Sequence, residues 1–323
     1  SEKANSSKRG FFSFCRKKIF ELDLPEARGR RCWGSSDGWL ITIGFDLQIR
    51  LLNPITRVQI DLPPQYTFQN QPDYEVYHCN LLWVRSCFIH KAILLKTSAL
   101  SLETENNFLV AAIYGEHHDL ALAKPGNKAW ITVETSPRFH FRDVACCKGQ
   151  FFALTDFGTL VVVDIGGPNP PRAKFIVPPP SETAEFQQIY LVESSGDLLM
   201  VVRHGKRNDE LDIFQETLYF KIFEFDFNTL EWTEIEDLGD RVLFVGDNCS
   251  MSRCASGIAN FKCNSIYFTD DALEQWYEYE LNYGGHDMGV YNMKSKTIQC
   301  HYTGEDFPSY YFFPIWVTPS FNW

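Results

Sequence analysis

RCWGSSDGWLITIG, residues 31–44, can be read in two ways. Its Gly34-Ser35-Ser36-Asp37-Gly38 fits G-x-S-x-G, the pattern that seats a nucleophilic serine in many hydrolases. Such a serine sits on a strained elbow with a strand before it and a helix after it. Here Trp39-Leu40-Ile41-Thr42-Ile43 follows, an aromatic and β-branched run that reads as a strand. Ser-Ser-Asp-Gly is hairpin chemistry: short polar side chains bond the local backbone and Gly38 accepts positive φ. The segment is strand–turn–strand, which makes Ser36 a turn residue. ACCKG (145–149) and ESSGD (193–197) stand in the same place between two apolar runs.

Working outward, the whole chain is built from such hairpins. One type recurs as FFSFCRKKIFELDLPE (11–26), LQIRLLNPITRVQIDLPP (47–64), DLALAKPGNKAWITVE (119–134), LVVVDIGGPNPPRAKFIVPPP (160–180), YFKIFEFDFNTLEWTEIEDL (219–238) and MGVYNMKSKTIQCHY (288–302). A different hairpin precedes each internal copy, at 30–44, 91–115, 141–158, 187–205 and 249–271, and SYYFFPIWVTPS (309–320) reads as one more first hairpin. Long amphipathic helix patterns are almost absent. Many short β-rich runs split by Gly, Pro, Asn and Asp indicate an all-β fold, and repetition at a fixed period indicates a propeller. With strands a, b, c and d in each blade, five blades are complete. The sixth is expected to join a and b from the C-terminus to c and d from the N-terminus, which removes exposed sheet edges. The expectation is a six-bladed β-propeller of four-stranded antiparallel blades; a seventh blade or a closed pair of sandwiched sheets fits the same pattern.

The composition agrees. The 323 residues are 45% hydrophobic and 15% aromatic, enough for a packed core. A net charge of −11, with no long Lys/Arg run, argues against nucleic acid or an anionic membrane as partner. No apolar run approaches the length that spans a bilayer, and the opening SEKANSSKRG is polar. The ten cysteines lack CxxC spacing, and several sit inside apparent strands, so a reduced setting in cytoplasm or nucleus is expected. Trp33, Trp39, Trp130, Trp232 and Trp316 fall in strands or turns, where large rings fill the gaps between blades.

Binding is expected on the b–c side, where RHGKRNDELDIFQET (203–217) and DDALEQWYEYELNYGGHD (270–287) read as long insertions. Trp276, Tyr277, Tyr279 and Tyr283 lie among Glu274, Glu278, Glu280 and Asp287. Aromatic anchors with an acidic rim suit a basic partner surface. His204 and Arg207 belong to the first insertion, and His117, His118 and His286 to b–c loops, beside Asp119 and Asp287. These residues (His117, His118, His204, Arg207, Trp276, Tyr277, Tyr279, Tyr283, His286 and Asp287) form the candidate partner-binding set. None has the spacing of a metal motif. No catalytic constellation and no cofactor is expected.

CWGSSDGWLITIG followed by LLNPITRVQIDLPP, then FRDVACCKGQFFALTDFGTLVVVDI, resembles the plant F-box proteins of the KIB type. The likeness continues through YLVESSGDLLMVVR, LGDRVLFVGDNCSMS, NSIYFTDD, DMGVYNMKSKTI and PIWVTPS, in order along essentially the whole chain. The resemblance implies a kelch-like propeller that captures a target protein while an N-terminal F-box recruits the Skp1 adaptor of a cullin-based (SCF) ubiquitin ligase. No F-box is visible, so residues 1–10 are expected to be the linker after a missing F-box, and 11–323 a single propeller domain. The resemblance thus implies a non-catalytic substrate receptor, reaching Skp1 only through an F-box outside this chain. A small-molecule sensor or enzyme using the central channel, or an F-box-free interaction scaffold, are the alternatives.

Overall fold

In the computed structural model the segment 31–44 forms two strands and no helix, so the hydrolase elbow is absent. The structure describes residues 7–14, 16–35, 37–71, 80–96, 108–166, 169–181, 188–208, 213–256, 261–271, 287–299 and 314–318; Ser36 lies outside them. The chain opens with the hairpin β1 (Lys8–Ser13) and β2 (Lys18–Asp23). The first full sheet is β3 (Arg31–Trp33), β4 (Leu40–Ile43), β5 (Ile49–Leu52) and β6 (Gln59–Asp61). A short helix, α1 (Leu81–Cys87), leads to β7 (Ile89–Lys96), β8 (Phe108–Tyr114), β9 (Asp119–Ala123) and β10 (Ile131–Thr132). Then come β11 (Phe141–Cys147), β12 (Gln150–Thr155), β13 (Leu160–Asp164) and β14 (Arg172–Val177). The next sheet is β15 (Gln188–Ser194), β16 (Asp197–Asn208), β17 (Ile213–Asp226) and β18 (Glu231–Ile235). The last contains β19 (Arg241–Val245), β20 (Met251–Cys254), β21 (Ser265–Phe268), β22 (Gly289–Asn292) and β23 (Thr297–Gln299). Four sheets are antiparallel meanders in chain order, and the fifth runs β20-β19-β21-β22-β23. Among the described residues the fold is an all-β propeller with five blades.

Turn chemistry explains why these segments are hairpins. Between β5 and β6, Asn53 Oδ1 accepts from the amides of Ile55 (2.9 Å) and Thr56 (3.0 Å), and Arg57 closes the turn at φ 63°. Asp226 does the same for Asn228 and Thr229, with Leu230 at φ 56°, and Asn292 for Lys294 and Ser295, with Lys296 at φ 53°. A short acceptor side chain followed four residues later by a left-handed residue is thus the c–d signature. The β1–β2 turn carries it too: Ser13 Oγ accepts from Arg16 N, and Lys17 stands at φ 49°. The N-terminal hairpin thus shares the turn chemistry of these c–d hairpins, but it stands as a two-stranded sheet of its own rather than as half of the expected sixth blade. The a–b turns differ: Lys148-Gly149 and Ser195-Gly196 are two-residue turns with positive φ at both positions, the twist that hairpin strands prefer.

The chain divides into two compact units. One holds residues 29–179 with 316–323, the other 1–28 with 180–315. In the first, β3–β6 and β7–β10 pack through a shared core that includes Trp33, Trp39, Ile41, Leu51, Phe88, Val110, Tyr114 and Trp130. The Trp130 ring stacks on Phe68 at 4.6 Å, and its indole N–H donates to the Pro63 carbonyl at 2.8 Å. In the second, β15–β18 and the last sheet share Val192, Val201, Phe220, Leu243, Ile266, Phe268 and Tyr291. Trp33, Trp39, Trp130 and Trp316 are buried, while Trp232 is half-buried against Phe225.

Three expectations need correction. Among the described residues five blades stand instead of six, and the described part of the last segment, 314–318, is not a strand. Within the first unit, residues 316–318 meet the β3–β4 turn, with Thr318 N donating to Ser35 O at 3.3 Å. Second, 249–271 is not a hairpin of its own. The apolar run Val242-Leu243-Phe244-Val245, which falls outside every expected hairpin, is the buried strand β19, inserted between β20 and β21 and parallel to β21. Third, 203–217 is not a loop: β16 and β17 run on for 12 and 14 residues, so the expected insertion is largely a two-stranded ribbon.

A Cβ placed on Gly34 would lie 1.9 Å from the Trp316 carbonyl oxygen, and a backbone atom cannot swing aside. Gly34→Ala is therefore expected to destabilise the protein by about 1–3 kcal/mol, the usual range for forced overpacking, measured as a lower urea midpoint.

Candidate functional site

The β16–β17 ribbon begins at Arg203, the last residue of the apolar run LLMVVR. Its side chain is 1% exposed, yet carries a full charge. Burial of an unpaired guanidinium would be prohibitive, so every nitrogen must find an acceptor. Nε donates to Thr217 Oγ1 at 2.7 Å. One terminal nitrogen donates to Tyr190 Oη (3.1 Å), the Thr269 carbonyl (2.9 Å) and Asp271 Oδ1 (3.1 Å). The other donates to Asp287 Oδ2 (2.7 Å) and the Asp287 carbonyl (3.1 Å). The Phe268 ring lies 4.8 Å below the guanidinium carbon. The two carboxylates are shared further: Tyr190 Oη donates to Asp271 Oδ2 at 2.5 Å, and Thr217 donates to Asp287 from both Oγ1 and backbone N. Burial works against the charged form of Arg203, but Tyr190, Asp271 and Asp287 outweigh it and hold its proton more tightly than usual.

This network has a geometric consequence. Arg203 and Thr217 are the two feet of the ribbon, and Asp271 and Asp287 are the two ends of the second insertion. All four meet at one buried charge, so both insertions singled out in the sequence are rooted in the same place. Just past the clamp, His204 pairs across the ribbon with Tyr219, and their rings stack at 4.3 Å and 11°.

The other unit gathers a histidine group. His90 on β7 donates from Nε2 to the Gly115 carbonyl at 2.7 Å, and its ring lies 4.2 Å from that of His118 in the β8–β9 turn. His118 Nδ1 faces Asp156 Oδ1 at 3.5 Å, and His140 Nδ1 faces Asp156 Oδ2 at 3.9 Å. His117 is exposed, with its ring 5.9 Å from His140. Asp119 accepts from Asn70 at 2.6 Å and from Arg138 at 3.3 Å. Among the described residues no three His, Cys, Asp or Glu side chains converge as a metal-binding set.

The sequence-selected residues therefore separate. Asp287 belongs to the Arg203 clamp, His204 stands beside it, and Arg207 lies further along β16. His117 and His118 belong to the histidine group of the other unit. Trp276, Tyr277, Tyr279, Tyr283 and His286 fall outside the described residues. Sequence reading missed Arg203, Tyr190, Thr217 and Asp271, although a lone arginine closing an apolar strand was a visible signal. It also missed His90, His140 and Asp156, which only strand pairing brings beside His118.

The KIB1-4 beta-propeller family model matches residues 11–292, most of the chain. The chain belongs to the KIB1-4 beta-propeller family. The relatives of this KIB1-4 chain include an Arabidopsis thaliana protein named F-box protein At5g55150, 28% identical over 305 residues, which are 89% of this chain and 76% of the relative. F-box protein SKIP23 of the same plant is 24% identical over 297 residues, covering 82% of this chain and 70% of that protein. Among solved structures, virginiamycin B lyase from Staphylococcus aureus is similar at 10% identity and a TM-score of 0.37, over 83% of each chain, too weak a likeness to bear on function.

Arg203→Met removes the cation but leaves Asp271 and Asp287 buried, so it is expected to destabilise the protein by about 3–5 kcal/mol, as for a broken buried ion pair, read from urea unfolding. His90 yields a pH prediction. Burial first, with the His118 ring beside it, holds its imidazole well below the ordinary 6.5. The unfolded chain then takes up a proton that the folded chain refuses, so stability is full above about pH 6.5 and falls as pH drops below it. His90→Gln is expected to flatten that acid limb in unfolding curves recorded at successive pH values.

Proposed function

We propose that this chain is the target-binding domain of a plant SCF-type ubiquitin ligase receptor. Its relatives are F-box proteins, and an F-box joins such a protein to Skp1 and a cullin. The propeller domain would then hold a target so that its lysines stand near the charged conjugating enzyme. That role is non-catalytic and needs no cofactor. Such a receptor would work in cytoplasm or nucleus, where thiols such as those of Cys87 and Cys147 stay reduced.

The observation that carries the reading furthest is the Arg203 clamp, which roots two insertions at one point. Rigid roots under variable loops are how scaffold proteins build recognition surfaces. The span between Asp271 and Asp287 adds Trp276, Tyr277, Tyr279 and Tyr283, residue types that dominate binding energy at interfaces, together with Glu274, Glu278 and Glu280 and no lysine or arginine. His204 and Arg207 on the ribbon and His286 at the end of the span complete this target-facing set. His117 and His118 are held in reserve as a separate contact of the other unit.

The test is co-purification from plant extract. The whole gene product is expected to retain Skp1 and a cullin, whereas residues 1–323 alone retain target proteins without Skp1. Failure of the whole product to retain Skp1 overturns the ligase reading.

A further inference from the structure

Each blade ends in an outer strand with an open edge, and β2 holds the same place in the N-terminal hairpin, where among the described residues it pairs with β1 alone. Its side chains set it apart. Neighbours on a strand point to opposite faces, so one of two apolar neighbours ordinarily packs inward. On β18 the apolar Trp232 and Ile235 are half-buried in this way. On β2, Ile19 and Phe20 are 49% and 42% exposed, so neither face is covered there. Arg16, Lys17 and Lys18 precede them, all exposed, and among the described residues none of the three has an acidic partner. Arg16 lies instead over the Phe20 ring at 5.6 Å. The acids of the hairpin are committed elsewhere: Glu21 pairs with Lys8 at 3.3 Å, and Asp23 accepts from Ser7 Oγ. Residues 7–28 carry six cations against three acids, in a chain whose net charge is −11. The sheet against which the hairpin packs adds a further cation. Phe14 stacks on Phe261 at 5.7 Å and meets Tyr267 edge-on at 5.4 Å, and Phe261 is followed by the exposed Lys262, whose Nζ donates to the neutral Gln299 Oε1.

We propose that β2 is a docking edge for an extended acidic protein segment, which adds as a third strand beside it. The surface shares no residue with the target-facing set above, and the proposal does not rest on the ligase reading. Backbone and charge together select the occupant. An open edge presents donors and acceptors at the spacing of a strand, which an extended peptide matches in register. Apolar side chains of the incoming strand then lie against Ile19 on one face and Phe20 on the other. The unpaired cations draw in carboxylates and repel a basic segment. They also repel β2 of a second copy, since lysine on an edge strand guards it against pairing with itself. A long nucleic acid or an anionic membrane meets the net −11 of the whole chain, whereas a short acidic segment meets mainly the local positive excess.

The test uses the purified chain and three short fluorescein-labelled peptides. One alternates glutamate with valine, one has lysine in place of glutamate, and one is the glutamate peptide methylated on every backbone nitrogen. Fluorescence anisotropy is expected to show binding of the glutamate peptide that weakens with added salt. The lysine peptide is expected not to bind, and the methylated one, equal in charge but unable to donate to an edge, to bind far more weakly. The double variant Arg16→Glu, Lys18→Glu changes exposed side chains only, so its melting curve is expected to stay as it was while binding of the glutamate peptide weakens about tenfold or more. The double variant Lys124→Glu, Lys128→Glu makes the same change of charge on the β9–β10 turn of the other unit and is expected to leave binding unchanged. The proposal is overturned if the glutamate peptide does not bind, if the lysine or the methylated peptide binds as well, or if the second double variant weakens binding as much as the first. It is also overturned if a single-stranded oligonucleotide, or vesicles containing phosphatidylserine, bind more tightly than the glutamate peptide and lose that binding in the first double variant. A dimer in sedimentation that Arg16→Glu, Lys18→Glu abolishes overturns it as well, since the edge would then serve a second copy of the chain.

Discussion

A guanidinium sealed from water tolerates only one kind of surroundings, and Arg203 imposes them. Its nitrogens reach Tyr190 on β15, Thr217 on β17, the carbonyl of Thr269 after β21, and the carboxylates of Asp271 and Asp287. Two sheets and both ends of a long insertion are thereby tied to a single charge. The cost of dehydrating that charge is large, so partial satisfaction is not a stable alternative. Tyr190 contributes as a hydroxyl because burial, helped by Asp271 and opposed by Arg203, raises its pKa well above the ordinary value and keeps its proton in place.

The first unit uses the same device for a different end. Arg31 is buried against the Trp33 ring and donates to the carbonyls of Ser86, Ile89 and His90, tying β3 to the start of the next blade. Lys91 and Asp143 form a buried pair at 2.9 Å between β7 and β11. Apolar packing between twisted sheets is not directional, and buried ions with fixed partners select one arrangement among the many that would bury the same area. The Trp and Phe layers bury the apolar area, while Arg31 and the Lys91–Asp143 pair add directional contacts between neighbouring sheets.

Much of this was legible in advance because hairpins are local. NPITR, DFNTL and NMKSK each contain the acceptor and the left-handed residue that close a c–d turn, and CKGQ and SSGD contain the two-residue a–b turn. Strand β19 was hidden because a short, wholly apolar run looks the same in a buried connection and in a central strand, and its parallel partner is not the next strand but β21, with Val242 opposite Ser265. The ribbon was misread because its polar stretch HGKRN (204–208) resembles a solvated loop. Two-stranded pairing in water needs only backbone bonds and a few cross-strand contacts, which polar residues also supply. The expected sixth blade is not among the described sheets: of SYYFFPIWVTPS only 314–318 are described, and Thr318 finds its backbone partner at Ser35.

The sequence by itself determined the class of the fold, the hairpin repeat and the identity of the family, because turn chemistry and alternation act over a few residues and survive without knowledge of neighbours. It also marked the two insertions by length and charge. Only the tertiary structure decided how many blades stand, which strand fills the centre of the last sheet, and which residues hold the candidate site. Arg203, Asp271 and Asp287 are separated by up to 84 positions, and no local pattern couples them. What joins them is the requirement that a buried charge be neutralised, and that requirement exists only once the chain has folded around it.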